Sequence, residues 1–304
     1  MEEGLRSAGL AGILCAVVAC GPGPAQSGAS AHPSPSSTAA GGSIADPGRR
    51  FEVKEAKVTN SADATVHDIT YAGPQGPVAA YLVVPTGRGP FAAVLFMHWL
   101  DDAAHGDRRE FLAEATRMAG RGVVSILPQG SFPWGNPPSG FEHDRARIEA
   151  QVGEMQAAFD LLKAQPGVDP ARIALVGHDY GAMHGSVLAG RTQAFAALVL
   201  MAPTPRYVTW FAQYWRFLKS EAEVAAYAQQ MAPLDPKTNL PRAGPAPVLL
   251  QFANQDQYVK QSDVDEMAAA AGGRATVRTY DSDHQLNEAA ATDRAQWLAD
   301  RLRL

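Results

Sequence analysis

Asp179 stands between two glycines in Gly177-His178-Asp179-Tyr180-Gly181, directly after the apolar run Ile173 to Val176 and directly before an Ala- and Gly-rich stretch. A strand that enters a helix through such a segment makes a tight bend, and the bend lifts its middle side chain into a cleft at the helix N-terminus. By itself a Gly-x-Asp-x-Gly also reads as an ordinary turn or helix cap. Two further residues give it chemical weight. Asp256 lies in the loop after the apolar run PVLLQFAN, and His284 in the loop after ATVRTYD. The order nucleophile, acid, histidine is the one associated with this elbow. An aspartate is anionic near neutral pH and needs no base before it attacks, and a helix N-terminus favours its charge. Attack by a carboxylate on an ester carbonyl gives a reactive anhydride, whereas displacement at an sp3 carbon gives an ordinary ester. Asp179 therefore favours an epoxide or alkyl-halide type of electrophile, with His284, oriented by Asp256, activating the water that hydrolyses the ester. Asp281 and Asp283 are alternative acid partners, and Asp256 is preferred because its loop follows the strand expected to carry the acid.

These residues must be positioned by alternating strands and helices. ATVHDITYA and VAAYLVVP, joined by Gly73-Pro74-Gln75-Gly76-Pro77, read as an antiparallel hairpin. FAAVLFMH, GVVSILP, ARIALVG, AALVLMAP and PVLLQFAN are short, nearly continuous apolar runs of the kind expected when both faces of a sheet are covered. Between them, Phe111, Leu112, Ala115, Met118 and Ala119 keep helical spacing. Ile148, Val152, Met155, Phe159 and Leu162 mark one face of a long helix ended by Pro166-Gly167. Further helices are expected over Gly181 to Ala189, over Ser262 to Ala271, and around Trp297, Leu298 and Leu302. The pattern predicts an α/β fold: a mostly parallel sheet with an antiparallel N-terminal hairpin, helices on both faces, and a small cap-like insertion at about 204–246.

At VAAYLVVP, FAAVLFMH, VDPARIALVGHDYGA, Asp256 and His284 the chain resembles the α/β-hydrolase superfamily, most closely its dienelactone-hydrolase-like branch, from about Ala64 to the C-terminus. The elbow GHDYGA is more similar to that of epoxide hydrolases and haloalkane dehalogenases, whose nucleophile is an aspartate. The resemblance implies an oxyanion hole of backbone N–H groups from Tyr180 and from Trp99 or Leu100. Dehalogenases commonly place a tryptophan directly after the nucleophile, where this chain has Tyr180. Epoxide hydrolases protonate the leaving oxygen with tyrosines of a cap, and the insertion holds Tyr207, Trp210, Tyr214, Trp215 and Tyr227. Epoxide-like chemistry therefore ranks above halide chemistry, the alternative being that these aromatics form the core of a helical flap. His98, Trp134, Tyr207, Trp210 and Tyr214 are the pocket candidates. The spacing of His98, His178 and His184 fits no usual zinc motif, and neither metal nor cofactor is expected.

The remaining signals concern address and partners. The 304 residues carry 26 basic and 31 acidic side chains, a net charge of −5, which argues against nucleic-acid binding. The two cysteines, Cys15 and Cys20, lie in the first twenty residues, so the body has no disulfide framework. Leu10 to Ala19 is an apolar run of about ten residues, too short to span a bilayer and of signal-peptide length. It ends in Val17-Val18-Ala19-Cys20, which resembles the bacterial lipobox with Cys20 as the lipidated residue, although Glu2 and Glu3 outweigh Arg6 ahead of it. Residues 21–50 read as a Gly/Pro/Ala/Ser tether reaching roughly 30 Å. The expected organisation is a signal peptide over 1–20, a linker over 21–50 and a catalytic domain over 51–304. This describes an extracytoplasmic, lipid-anchored hydrolase of small molecules whose only tie to the membrane is the anchor, the alternative address being the cytoplasm. Two other functions compete with covalent catalysis by Asp179. One is ester or lactone hydrolysis in which Asp179 acts through water. The other is a non-catalytic binding protein that kept the fold.

Overall fold

The computed structural model describes residues 44–100 and 107–304. The expected signal peptide, the lipidation site Cys20 and the linker as far as residue 43 lie outside the described residues, as does 101–106.

Among the described residues, nine strands form one sheet: β1 (Lys54–Asn60), β2 (Ala64–Gly73), β3 (Gly76–Pro85), β4 (Phe91–Met97), β5 (Val123–Pro128), β6 (Val168–His178), β7 (Ala197–Met201), β8 (Val248–Ala253) and β9 (Ala275–Tyr280). Their spatial order is β1-β2-β3-β5-β4-β6-β7-β8-β9. The first three strands and the β3–β5 pair run antiparallel, and every other pair is parallel. The expected hairpin is β2–β3, closed in register from Gly73 opposite Gly76 to Ala64 opposite Pro85.

Among the described residues, eight α-helices accompany the strands: α1 (Leu112–Ala119), α2 (Phe141–Lys163), α3 (Tyr180–Thr192), α4 (Tyr207–Trp210), α5 (Glu221–Met231), α6 (Pro236–Asn239), α7 (Gln261–Ala271) and α8 (Glu288–Leu302), the last following β9. Two apolar cores sandwich the sheet, because successive strand side chains point to opposite faces. Ala93, Leu95 and Met97 of β4 join one core with Met155 and Phe159 of α2 and Met183 and Val187 of α3. Ala92, Val94 and Phe96 join the other with Met118 of α1 and Leu298 and Leu302 of α8. All seven residues of β4 are buried, which is why the sequence shows an unbroken apolar run there.

β1 is the strand the sequence pattern does not announce. All seven of its residues are exposed, and they include Lys54, Glu55 and Lys57. Backbone pairing to β2 fixes its conformation, so no apolar alternation marks it. Charges along an edge strand also discourage pairing with another chain.

The chain leaves β4 toward β5 on one side and returns to β6 on the other. At such a reversal the loops beyond the C-terminal strand ends diverge and open a crevice. The loops after β4, β6, β8 and β9 carry Trp99, Asp179, Asp256 and His284 respectively. Between β7 and β8 the insertion contributes α4, a π-turn over Phe211–Trp215, α5 and α6 beside that crevice. Its α5 is started by a capping box in which Ser220 and Glu223 satisfy each other's backbone N–H groups.

Candidate active site

The elbow is formed by backbone that only its sequence permits. Asp179 sits at φ 51° and ψ −117°, a left-handed conformation that side-chain-bearing residues rarely adopt. A Cβ on Gly177 would stand 2.6 Å from the Gly181 carbonyl oxygen, and one on Gly181 would collide with the Met97 carbonyl. The bend therefore needs both glycines. The Asp179 N–H donates to the Met201 carbonyl at 2.8 Å, which fastens the bend to the end of β7.

The two oxygens of the Asp179 carboxylate are not equivalent. Oδ2 accepts the Leu100 N–H at 3.2 Å, and the Tyr180 N–H lowers the energy of the same charge. These are the donors expected to form the oxyanion hole. Trp99, the other candidate, turns its N–H to Glu110 Oε2 at 2.7 Å. Oδ1 is buried and has no partner. Burial pushes the carboxyl up from its ordinary range, while the His284 charge and the two N–H groups pull it down and the Glu110 charge raises it, leaving it at about 7.

His284 Nδ1 meets Asp256 Oδ2 at 2.8 Å, and its Nε2 is buried without a partner. Asp281 and Asp283 do not contact the ring: Asp281 accepts from Gln255 and Asn287, and Asp283 from Gln285. Burial raises the Asp256 carboxyl, but the hydrogen bond and charge of His284, with the N–H groups of Tyr258 and Val259, outweigh it and hold the group below its ordinary value. Two buried atoms are left without partners, Asp179 Oδ1 and His284 Nε2, and the two residues feel each other's charge. The fold leaves a buried anion to balance an imidazolium when one forms.

Leu100, Tyr180 and His284 open onto a cavity of about 540 Å³. Six aromatic side chains line it: Trp99, Tyr180, Trp210, Tyr214, Trp215 and Tyr258. Of the pocket candidates, Trp210 and Tyr214 are in the wall, while His98, Trp134 and Tyr207 stand behind it. His98 Nδ1 donates to the Trp99 carbonyl and its Nε2 accepts the Gly130 N–H, and Trp134 Nε1 donates to the same Trp99 carbonyl at 2.8 Å. Both brace the loop that carries the hole. Tyr207 is fully buried with its ring edge-on to His184, and Tyr227 donates to Asp144 at 2.6 Å. The insertion is thus part packing core and part cavity wall. His184 gives its Nδ1 proton to the Tyr180 carbonyl, and burial lowers it to about 4. Among the described residues no three His, Cys, Asp or Glu side chains gather in a metal-binding arrangement.

Two residues escaped the sequence reading. Tyr258 lies two residues after Asp256, so its nearness to the acid loop was the available signal; its ring centroid is 5.0 Å from that of His284. Glu110 had none. One of its oxygens accepts the Trp99 N–H and the other meets His178 Nδ1 at 2.7 Å, while His178 Nε2 donates to the His284 carbonyl at 3.1 Å. Trp99 stacks on His178 with ring planes 7° apart.

A model of the prolyl oligopeptidase family matches residues 142–295, just over half of the chain and inclusive of Asp179, Asp256 and His284. The chain belongs to the prolyl oligopeptidase family. It is a hydrolase of the α/β-hydrolase superfamily, with the sheet and covering helices of that fold. No curated protein matches the chain in sequence. Solved structures agree with the family in fold. Acetyl xylan esterase 1 from a Thermoanaerobacterium species is 16% identical with a TM-score of 0.65, over 83% of this chain and 88% of that one. A Klebsiella pneumoniae protein assigned as a dienelactone hydrolase is 19% identical with a TM-score of 0.55, over 75% and 94%. A prolyl endopeptidase is 16% identical with a TM-score of 0.61, over 81% of this chain and 39% of that one.

Proposed function

We propose that this family member hydrolyses an epoxide or related small electrophile through a covalent ester on Asp179. The observation that carries the reading is the division of labour within one carboxylate: Oδ2 already accepts the Leu100 N–H of the hole, and Oδ1 has no partner. Oδ1 attacks the sp3 carbon, and the carbon–oxygen bond of the electrophile breaks. The departing oxygen takes a proton from Tyr214 or Tyr258, whose rings lie 5.3 Å apart in the cavity wall. In the resulting ester Oδ2 is the carbonyl oxygen. His284 Nε2 then removes a proton from water, and the water oxygen adds to the Asp179 carboxyl carbon. Charge develops on Oδ2, where the N–H groups of Leu100 and Tyr180 receive it. Collapse expels the alkoxide, which takes the proton back from His284; the product is a diol, and the proton that water leaves on the Asp179 carboxyl is given up as the tyrosinate regains its own. Asp256 stabilises the transient imidazolium.

A single turnover in 18O-water, followed by mass spectrometry of the peptide containing Asp179, tests this. Label enters Asp179 and not the diol. His284→Ala accumulates an adduct of substrate mass on that peptide, with turnover reduced about 10²–10⁴-fold. Productive turnover with unlabelled Asp179 would sink the covalent route.

The carboxyl at about 7 favours a second reading, in which Asp179 exchanges a proton with water near neutral pH and the water attacks an ester or lactone directly. The esterase names of the structural neighbours point the same way. That route leaves Asp179 unlabelled while the acid product takes up 18O. A third reading, a binding protein without turnover, has Asp179→Asn change neither turnover nor ligand response. We further propose that residues 1–20 direct export and that Cys20 carries a lipid, with 21–50 as the tether. Cys20→Ser would then release the protein from the membrane fraction, and an unchanged distribution would refute the anchor.

A further inference from the structure

We propose that the cavity lined by Leu100, Tyr180 and His284 receives a cationic group, so that the substrate carries an alkylammonium beside its electrophilic carbon. The inference rests on the reading of this cavity as the substrate site. Its first support is the wall itself. Trp210, Tyr214 and Tyr258 form a closed triangle of rings with centroids 5.0, 5.4 and 5.3 Å apart. Trp210 and Tyr258 also stand 5.8 and 5.0 Å from the His284 ring. Aromatic faces attract cations through the ring quadrupole, most strongly where water is displaced. Tyr214, 41% exposed, presents its ring at the mouth, where an entering group meets it first.

The second support is the polar complement. Asp283 lines the cavity, and its carboxylate accepts the Gln285 N–H and has no ion pair among the described residues. Gln255 donates one Nε2 proton to Asp281 at 2.7 Å, and its side-chain carbonyl oxygen remains as an acceptor beside the cavity. No Lys or Arg is among the described residues that line the cavity, where the glutamines and tyrosine hydroxyls offer neutral dipoles and Asp283 offers a carboxylate. Aromatic faces and a carboxylate, with no Lys or Arg among the described lining residues, favour positive charge over negative.

Calorimetry on the intact protein tests the inference with four probes of similar size: (2-hydroxyethyl)trimethylammonium, its uncharged carbon isostere 3,3-dimethylbutan-1-ol, n-butylammonium and 3,3-dimethylbutanoate. Both cations are expected to bind at least tenfold more tightly than the alcohol, and the butanoate not to bind. The quaternary cation ahead of butylammonium assigns the preference to the rings, and the reverse order assigns it to Gln255 and Asp283. Tyr214→Phe keeps the ring and the cation affinity, whereas Tyr214→Ala and Asp283→Asn each weaken it several-fold. Alcohol binding as tight as the cations, measurable butanoate binding, or cation affinity untouched by both Tyr214→Ala and Asp283→Asn would overturn the proposal. The covalent reading fails separately: a neutral epoxide turned over without label in Asp179 removes that chemistry and leaves the cation preference standing. Label in Asp179 without cation preference does the opposite.

Discussion

Asp179 differs from a serine in what it asks of its neighbours. A serine in the same bend would need His284 to take its proton before attack, and would leave the N–H groups of Leu100 and Tyr180 open for a substrate carbonyl. The aspartate needs no proton taken and fills that hole with its own oxygen. Asp179→Ser should therefore empty the hole, present a hydroxyl to the unpartnered His284 Nε2, and convert the protein into a serine esterase. The expected outcome is measurable p-nitrophenyl acetate hydrolysis by the variant with loss of epoxide turnover; a variant inert toward both would show that the hole or the histidine is wrongly placed. The pH dependence follows from the same carboxyl. Burial raises it to about 7, and only its anion attacks carbon, so the rate of ester formation rises as pH increases through about 7 and levels above it. A pre-steady-state profile of adduct formation that is flat from pH 5 to 8 would contradict this.

At the scale of elements, four loops from one end of the sheet must keep register to within fractions of an ångström, and one carboxylate ties three of them. Glu110, just ahead of α1, holds the loop after β4 through the Trp99 N–H and the end of β6 through His178, which in turn holds the loop after β9 through the His284 carbonyl. Glu110→Ala removes the acceptor of the Trp99 N–H and the partner of His178 Nδ1 together. Each lost bond costs about 1–3 kcal/mol of stability, read as a lower Tm. We expect kcat to fall about tenfold with KM little changed, since the cavity wall keeps its rings while the hole and His284 lose alignment. A change in KM alone would assign Glu110 to substrate binding. This tie also marks the limit of what the sequence displays. Buried strands and the elbow leave local signatures, apolar runs and paired glycines, so β4, β6 and the bend at Asp179 were legible. Glu110 meets His178 across 68 residues of chain, and no local pattern records such a pairing. The exposed β1 and the division of the insertion between core and wall were hidden for a related reason: both depend on what packs opposite, and aromatic residues such as Tyr207 and Tyr214 have the same composition in either place.

The whole molecule bears the cost of burying charge. Asp179 and Asp235 are both raised to about 7, each chiefly by burial, although Asp235 receives the Tyr207 N–H. The native state therefore binds two protons between about pH 4 and 7 that the unfolded chain has released, and stability falls as pH rises through that window. His184 acts in the opposite sense. Lowered to about 4 by burial, it stays neutral in the fold while the unfolded chain protonates below about 6.5, so its contribution falls as pH decreases from there toward 4. Two carboxyls outweigh one imidazole, and above pH 6.5 the imidazole no longer counts. Each raised carboxyl amounts to about 4 kcal/mol at full ionisation, at 1.36 kcal/mol per unit, as an order of magnitude. The net expectation is a protein more stable at pH 5.5 than at pH 8. Asp179→Asn removes the ionisation and keeps the volume, and so raises Tm at pH 8 by more than at pH 5.5. Denaturant unfolding of both proteins at the two pH values measures this directly. Equal stability of the parent at pH 5.5 and 8, with no gain from Asp179→Asn at the higher value, would mean that the carboxylate at the bend is solvated in solution. Its Oδ1 would then be hydrated and no longer held unpartnered for attack.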